Sequence, residues 1–179
     1  MAMTLITTNT SSGDAASDFT SGIDSTYKLY IFKYYNFNPS ADGENFQVQF
    51  NAAGGSGFNE TITTTYSLAR HGEDNDPAAI TYDSGEDRVQ DTGGQTLIEQ
   101  LGNGADEHAS GTFWLFNPSN TTYVKHFYAV TVGMENDDDM VNTYMSGYVN
   151  TTSAIDEVRF NASGVGTTQD SVIKMYGVG

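Results

Sequence analysis

The sequence predicts an all-β protein, an antiparallel β-sandwich of jelly-roll type with about eight to ten strands. Three observations carry this. Apolar and polar residues alternate with period two along much of the chain, loops rich in Gly, Asn, Asp and Ser separate the alternating runs, and no long stretch shows helical amphipathic spacing.

In chain order, "MTLITT" reads as a short strand within an N-terminal strand or arm, residues 1–26, and residues 27–179 read as one sandwich domain. "TYKLYIFKYYNF" puts Tyr27, Leu29, Ile31, Tyr35 and Phe37 on one face and Lys28, Tyr30, Phe32 and Tyr34 on the other. Both faces are substantially apolar, which places this strand inside a sheet. Phe46, Val48 and Phe50 alternate with Gln47 and Gln49, and further runs follow at "ETITTTYSLA", "GTFWLF", "TYVKHFYAVTV", "NTYMSGYVN", "IDEVRFN" and "SVIKMYGV". An acidic, loop-rich insert near 70–110 is the least patterned segment. Helix signals are confined to "GDAASDF" and "GGQTLIEQLG", each of which predicts a turn or two.

The tetrapeptide Phe-Asn-Pro-Ser occurs twice, at residues 37–40 and 116–119, and takes two of the chain's 3 prolines. Proline cannot donate to a ladder and keeps its predecessor extended, so each copy ends a strand. Both copies read as hairpin corners at one rim. A second echo, Thr20-Ser21-Gly22-Ile23-Asp24 and Thr152-Ser153-Ala154-Ile155-Asp156, predicts a buried Ile and a turn-forming Asp where the chain enters a sheet.

A chain of 179 residues without cysteine buries about 70% of its unfolded surface and needs no disulfide staples. Seven Lys and Arg against 23 Asp and Glu give a net charge of −16, which repels phosphate backbones and anionic lipid, so neither nucleic acid nor membrane is an expected partner. No run approaches the roughly 18 apolar residues of a membrane span, and "MAMTLITTNTSSGD" lacks the parts of a signal peptide, so synthesis in a cytosol is expected. Asn-X-Ser/Thr triplets beginning at Asn9, Asn59, Asn120, Asn150 and Asn161 follow from a composition rich in those residues.

Chemical motifs are sparse. His71, His108 and His126 show no metal-ligand spacing; His126 reads as a strand residue and the other two as loop residues. Nucleophile-elbow and phosphate-loop motifs are missing, and scattered carboxylates do not define a glycosidase pair. Three acidic clusters, Glu73-Asp74-Asn75-Asp76, Glu86-Asp87 and Glu135-Asn136-Asp137-Asp138-Asp139, offer oxygens to a hard cation. The last is the best of them, but it lacks the spacing of a calcium loop and reads as solvated. The sequence therefore assigns no catalytic, cofactor-binding or metal residue and no cofactor. Trp114, Tyr34, Tyr35, Tyr123, Tyr128, Tyr144 and Tyr148 are candidates for a sugar-stacking platform, although core or subunit interface is the commoner use of such residues.

The strings "FTSGIDSTYKLYIFKYYNFNP", "LFNPSNTTYVKHFYA", "GYVNTTSAIDEVRF" and "VIKMYGVG" resemble small β-rich virion structural proteins of marine tailed bacteriophages, from about Thr4 to the C-terminus. The middle acidic segment resembles them least. The resemblance implies a non-enzymatic protein located in the virion. Its expected role is a capsid decoration or cement subunit, homo-oligomeric with a trimer favoured, partnered with the major capsid protein or another virion protein. A fibre, spike or tail-attached module that binds a host surface or carbohydrate is the alternative.

Overall fold

Each alternating run forms a strand. The computed structural model describes residues 2–75 and 78–179, and among these there are thirteen strands in two antiparallel sheets and no helix. The larger sheet runs in the order β1 (Met3–Asp14), β13 (Gln169–Val178), β3 (Leu29–Pro39), β9 (Ala109–Phe116), β10 (Lys125–Met134), β11 (Asp139–Val149), β5 (Ile62–Gly72) and β6 (Ala78–Tyr82), with β7 (Val89–Asp91) also paired to β5. The smaller runs β2 (Ser17–Phe19), β12 (Ile155–Ala162), β4 (Glu44–Ala52) and β8 (Gln95–Leu101). The result is the expected antiparallel β-sandwich. Its division into nine strands and four is more unequal than the two balanced sheets of a jelly roll.

Of the N-terminal segment, β1 lies along β13 and β2 along β12, so it contributes an edge strand to each sheet. The strand count exceeds eight to ten because β2, β6, β7 and β8 lie where alternation is short or broken. Two of these were expected as helical turns. Tertiary pairing decides otherwise: β2 is held to β12 by Phe19, which is buried, and by a two-pronged ion pair from Arg159 Nε and Nη2 to Asp18 at 2.7 Å each. In β8, Leu97, Ile98 and Leu101 are all buried, and their helix-like spacing results from register shifts against β4 that change which residues face inward.

The same device corrects β3. Asn36 adopts φ 50° and the register shifts between Tyr34 and Phe37 against β9, so one residue is looped out and the side-chain parity flips. Phe37 therefore joins Tyr30, Phe32 and Tyr34 inside, all at 0% exposure, instead of lying with Ile31 and Tyr35 outside. The two tetrapeptides also part company. The first carries the chain from β3 in the large sheet to β4 in the small one, whereas the second closes the β9–β10 hairpin. Leu29 pairs with Phe116 and Phe37 with Ala109, which puts the two copies at opposite ends of the slab. Phe37 is buried and Phe116 exposed. In the second echo the expectation holds in part: Ile23 and Ile155 are both buried, and the Asp24 carboxylate accepts a hydrogen bond from Thr26 N at 2.8 Å, but Asp156 is already part of β12 and forms no such turn.

Between the sheets lies a ring-rich core. Phe160 on β12 meets Phe19, Phe32, Tyr34, Phe46 and Phe113 at centroid distances from 5.4 to 6.3 Å. Tyr34 also packs against Gly111, where a Cβ would come within 2.4 Å of the Val130 carbonyl and 2.7 Å of the ring, and its hydroxyl hydrogen-bonds Thr131 Oγ1 at 2.6 Å. One buried cation sits at the edge of this layer: Lys125 Nζ donates to the carbonyls of Thr151 and Ser153, tying the β11–β12 loop to β10.

Two outcomes are expected in urea unfolding. Phe160→Ala lowers stability by about 3–5 kcal/mol. Asn36→Gly is tolerated, while Asn36→Val costs more than about 1 kcal/mol because a β-branched residue is strained at positive φ.

Candidate functional site

The outer face of the large sheet departs from the polar surface an antiparallel sheet usually shows to water. Cross-strand register builds rows of side chains over it: Met3, Val178, Leu29 and Phe116 in one, and Leu5, Tyr176, Ile31, Trp114 and Tyr128 in the next. Beyond them stand Val130 beside Tyr144 and Val132 beside Asn142. Tyr144 is 54% exposed and Val132 38%. The outer face of the small sheet is ordinary by comparison, with Gln47, Gln49 and Arg159 standing opposite the buried Phe46, Val48 and Phe50.

Charge marks this face as distinctly as apolarity does. Of the 23 acidic residues, only Asp139 falls in β3, β9, β10, β11 or β5, and it is buried. Five adjacent strands thus present no carboxylate outward, in a protein of net charge −16. Lys33 and Lys174 stand directly opposite each other on the β3–β13 pair, an arrangement that is unfavourable unless something anionic or polar answers it. Lys174 Nζ lies 5.9 Å from the Tyr35 ring centroid.

Of the aromatic residues nominated by sequence, Trp114, Tyr128, Tyr144 and Tyr148 share this face, and Tyr35 lies nearer its β1 side. Tyr123 is in the loop after the second Phe-Asn-Pro-Ser, and Tyr34 belongs to the core. The Trp114 and Tyr128 rings stack at 4.3 Å and 13°, and Phe116 stacks on Tyr128 at 5.8 Å and 22°. Because these rings cover one another's faces, a sugar ring would meet mainly their edges. Beside them a shallow groove of about 440 Å³ is lined by Thr63, Thr65, Phe116, His126, Ser146 and Tyr148.

One end of the slab is the electrostatic opposite. The β10–β11 turn brings Glu135 and Asp139 to Arg70 on β5, with Nη2 at 2.6 Å from Glu135 and Nε at 3.6 Å from Asp139, while Glu99 on β8 approaches Nη2 at 3.5 Å. Glu73 N donates to Asp138 O at 3.3 Å, and Asp87 accepts from Tyr66 N at 2.8 Å. The first and third acidic clusters therefore meet here, apart from Asp76, which lies outside the described residues, while Asp87 lies against the middle of β5. Burial pushes the Glu135 carboxyl up to about 7 despite the opposing pull of Arg70. Burial likewise raises Glu99, assisted by Asp83 and Glu86 and opposed by Arg70. One carboxylate oxygen each from Glu135, Asp137 and Asp139 lie within 4.8 Å of one another.

The three histidines are not brought together. His71 is an exposed residue of β5 and not of a loop, His126 projects outward opposite Tyr148, and His108 precedes β9. Arg70 and Tyr66 were not nominated from sequence, where they look like ordinary members of an alternating run. The acid-free face was readable in principle, since it needs only a count of carboxylates strand by strand. The chain matches no protein-family model and no curated protein.

Glu135 generates a prediction with a definite sign. Its folded pKa lies above the ordinary 4.5, so the folded state holds the proton more tightly between about 4.5 and 7, and stability falls as pH rises through that window. In metal-free buffer, Glu135→Gln is expected to flatten this decline, measured as thermal midpoint against pH.

Proposed function

We propose that this chain is a non-enzymatic structural protein of a tailed-bacteriophage virion, a capsid decoration or cement subunit that docks through the outer face of its larger sheet. The observation that carries the reading is an aromatic face whose five adjacent strands β3, β9, β10, β11 and β5 present no carboxylate outward, on an otherwise strongly acidic molecule. Long-range repulsion keeps such proteins apart wherever acidic surfaces meet, so the face without carboxylates is the one that a protein surface can approach. Its stacked rings and aliphatic rows supply apolar area of the kind found at interface centres, and Lys33 and Lys174 favour a partner that offers carboxylates or carbonyls. The sequence resemblance to virion proteins supplies the class of partner, a capsid shell or another virion protein, and symmetric copies of this chain would complete each other around it.

The groove between Thr63, Thr65, His126 and Tyr148 favours a second reading, a fibre or tail-attached module that binds host carbohydrate, because hydroxyls and an imidazole flank aromatic surface there. Glycan-array binding lost in Tyr148→Ala would support it over the first.

Purified virions are expected to contain the chain in many symmetric copies, visible by cryo-electron microscopy; finding it only in infected-cell cytosol would overturn the proposal. Tyr144→Asp and Val132→Asp, which place a carboxylate on exposed positions of the face, are expected to leave thermal stability nearly unchanged. Each should weaken capsid binding at least tenfold in a co-sedimentation assay, equivalent to about 1.4 kcal/mol.

A further inference from the structure

We propose that Asn103 is a site of self-modification, losing its side-chain amide by cyclisation onto the backbone nitrogen of Gly104 while Glu107 acts as the base for that nitrogen. Asn103 and Gly104 form the one Asn-Gly pair in the sequence, and they lie in the loop between β8 and β9, where Asn103 is exposed. A peptide N–H is a poor nucleophile until its proton is drawn away. Gly104 N donates to Glu107 Oε2 at 2.7 Å, inside the roughly 2.6–3.2 Å over which a side chain serves as a general base.

The loop is shaped to hold that contact. A Cβ on Gly102 or on Gly104 would run into the Glu107 carboxyl group, so the two glycines flanking Asn103 leave the room in which the carboxylate lies. Glu107 N donates in turn to Gly104 O at 3.2 Å, and Asn38 Nδ2 donates to the carbonyls of Gly104 and Glu107 at 3.1 and 2.8 Å. Peptide and base are thereby pinned to β3 together. Asn103 Nδ2 donates to Ser40 O at 3.5 Å. Attack of Gly104 N on Asn103 Cγ is intramolecular and so carries little entropic cost; the bond from Cγ to Gly104 N forms as the bond from Cγ to Nδ2 breaks. The proton accepted by Glu107 passes to the departing nitrogen, which leaves as ammonia, and the carboxylate is regenerated. Water then opens the succinimide, its hydroxyl going to a ring carbonyl and its hydrogen to Gly104 N. Opening at Cγ gives aspartate, and opening at the main-chain carbonyl of residue 103 gives isoaspartate. Either product adds a carboxylate, and the second also lengthens the main chain by one atom beside the Asn38 contacts.

This inference rests neither on the docking face nor on a role in the virion, and it is tested on the isolated full-length chain. Fresh protein is aged at physiological temperature and pH in heavy-oxygen water, and residue 103 is followed by peptide mapping with mass spectrometry. The expected result is progressive conversion to a mixture of aspartate and isoaspartate, each carrying one labelled oxygen. Glu107→Gln keeps an oxygen that can accept from Gly104 N but supplies no base, and is expected to slow conversion of the folded chain by roughly tenfold or more. In urea, where the loop is undone, the same substitution should leave the rate unchanged. Asp106→Asn, which removes the neighbouring carboxylate, should convert as the unsubstituted chain does. Persistence of intact Asn103 in the aged folded protein overturns the proposal. So does conversion that Glu107→Gln leaves unchanged, that Asp106→Asn slows equally, or that Glu107→Gln slows as much in urea as in the folded chain.

Discussion

Phe160 is the contact on which the sandwich depends. It stands on the small sheet, yet its ring neighbours include Phe32 and Tyr34 on β3 and Phe113 on β9, the middle of the large sheet. Aromatic rings bury the largest area per residue and prefer edge-to-face or tilted meetings, and one ring in that position fixes the angle at which the two layers lie. The bulge at Asn36 then becomes intelligible, because without the change of parity Phe37 would miss its stack on Phe46, 3.7 Å between centroids.

With the inner layer filled by rings, the outer surfaces are free to differ, and they do. The small sheet shows water a conventional set of amides and a paired arginine. The large sheet shows aliphatic rows, stacked rings and two opposed lysines. Acidic residues lie in loops, at one end of the slab and on the small sheet, where Asp156 and Glu157 stand on β12, so net charge and apolar area occupy different parts of the same molecule. Solubility and attachment are thereby served by separate surfaces.

Much of the fold was legible in the sequence because period-two alternation survives wherever a strand buries one face. It failed where a bulge shifts the parity, as at Asn36 and in β8, and where a strand exists only because a neighbour pairs with it, as with β2 beside β12. The repeated Phe-Asn-Pro-Ser misled for a related reason. Local chemistry specifies the end of a strand, but whether the chain then turns within a sheet or crosses to another is decided by the core. The sites were less legible still. Arg70, Glu99 and Glu135 lie far apart in sequence and meet only because β5, β8 and the β10–β11 turn converge, and nothing near Tyr66 in the chain signals that its hydroxyl is enclosed.

Gly111 carries a consequence for how this protein can change over generations. Even a methyl group there would collide with the Val130 carbonyl and with the Tyr34 ring, and the backbone carbonyl cannot step aside without breaking the β9–β10 pairing. The flanking Thr112 points outward and is open to drift, whereas the Ser110 hydroxyl accepts from Asn36 N at 3.1 Å and so supports the bulge. Descendants of this chain can thus remodel neighbouring outward positions quickly while this glycine stays fixed, a narrow marker by which a diverged copy would still betray its ancestry.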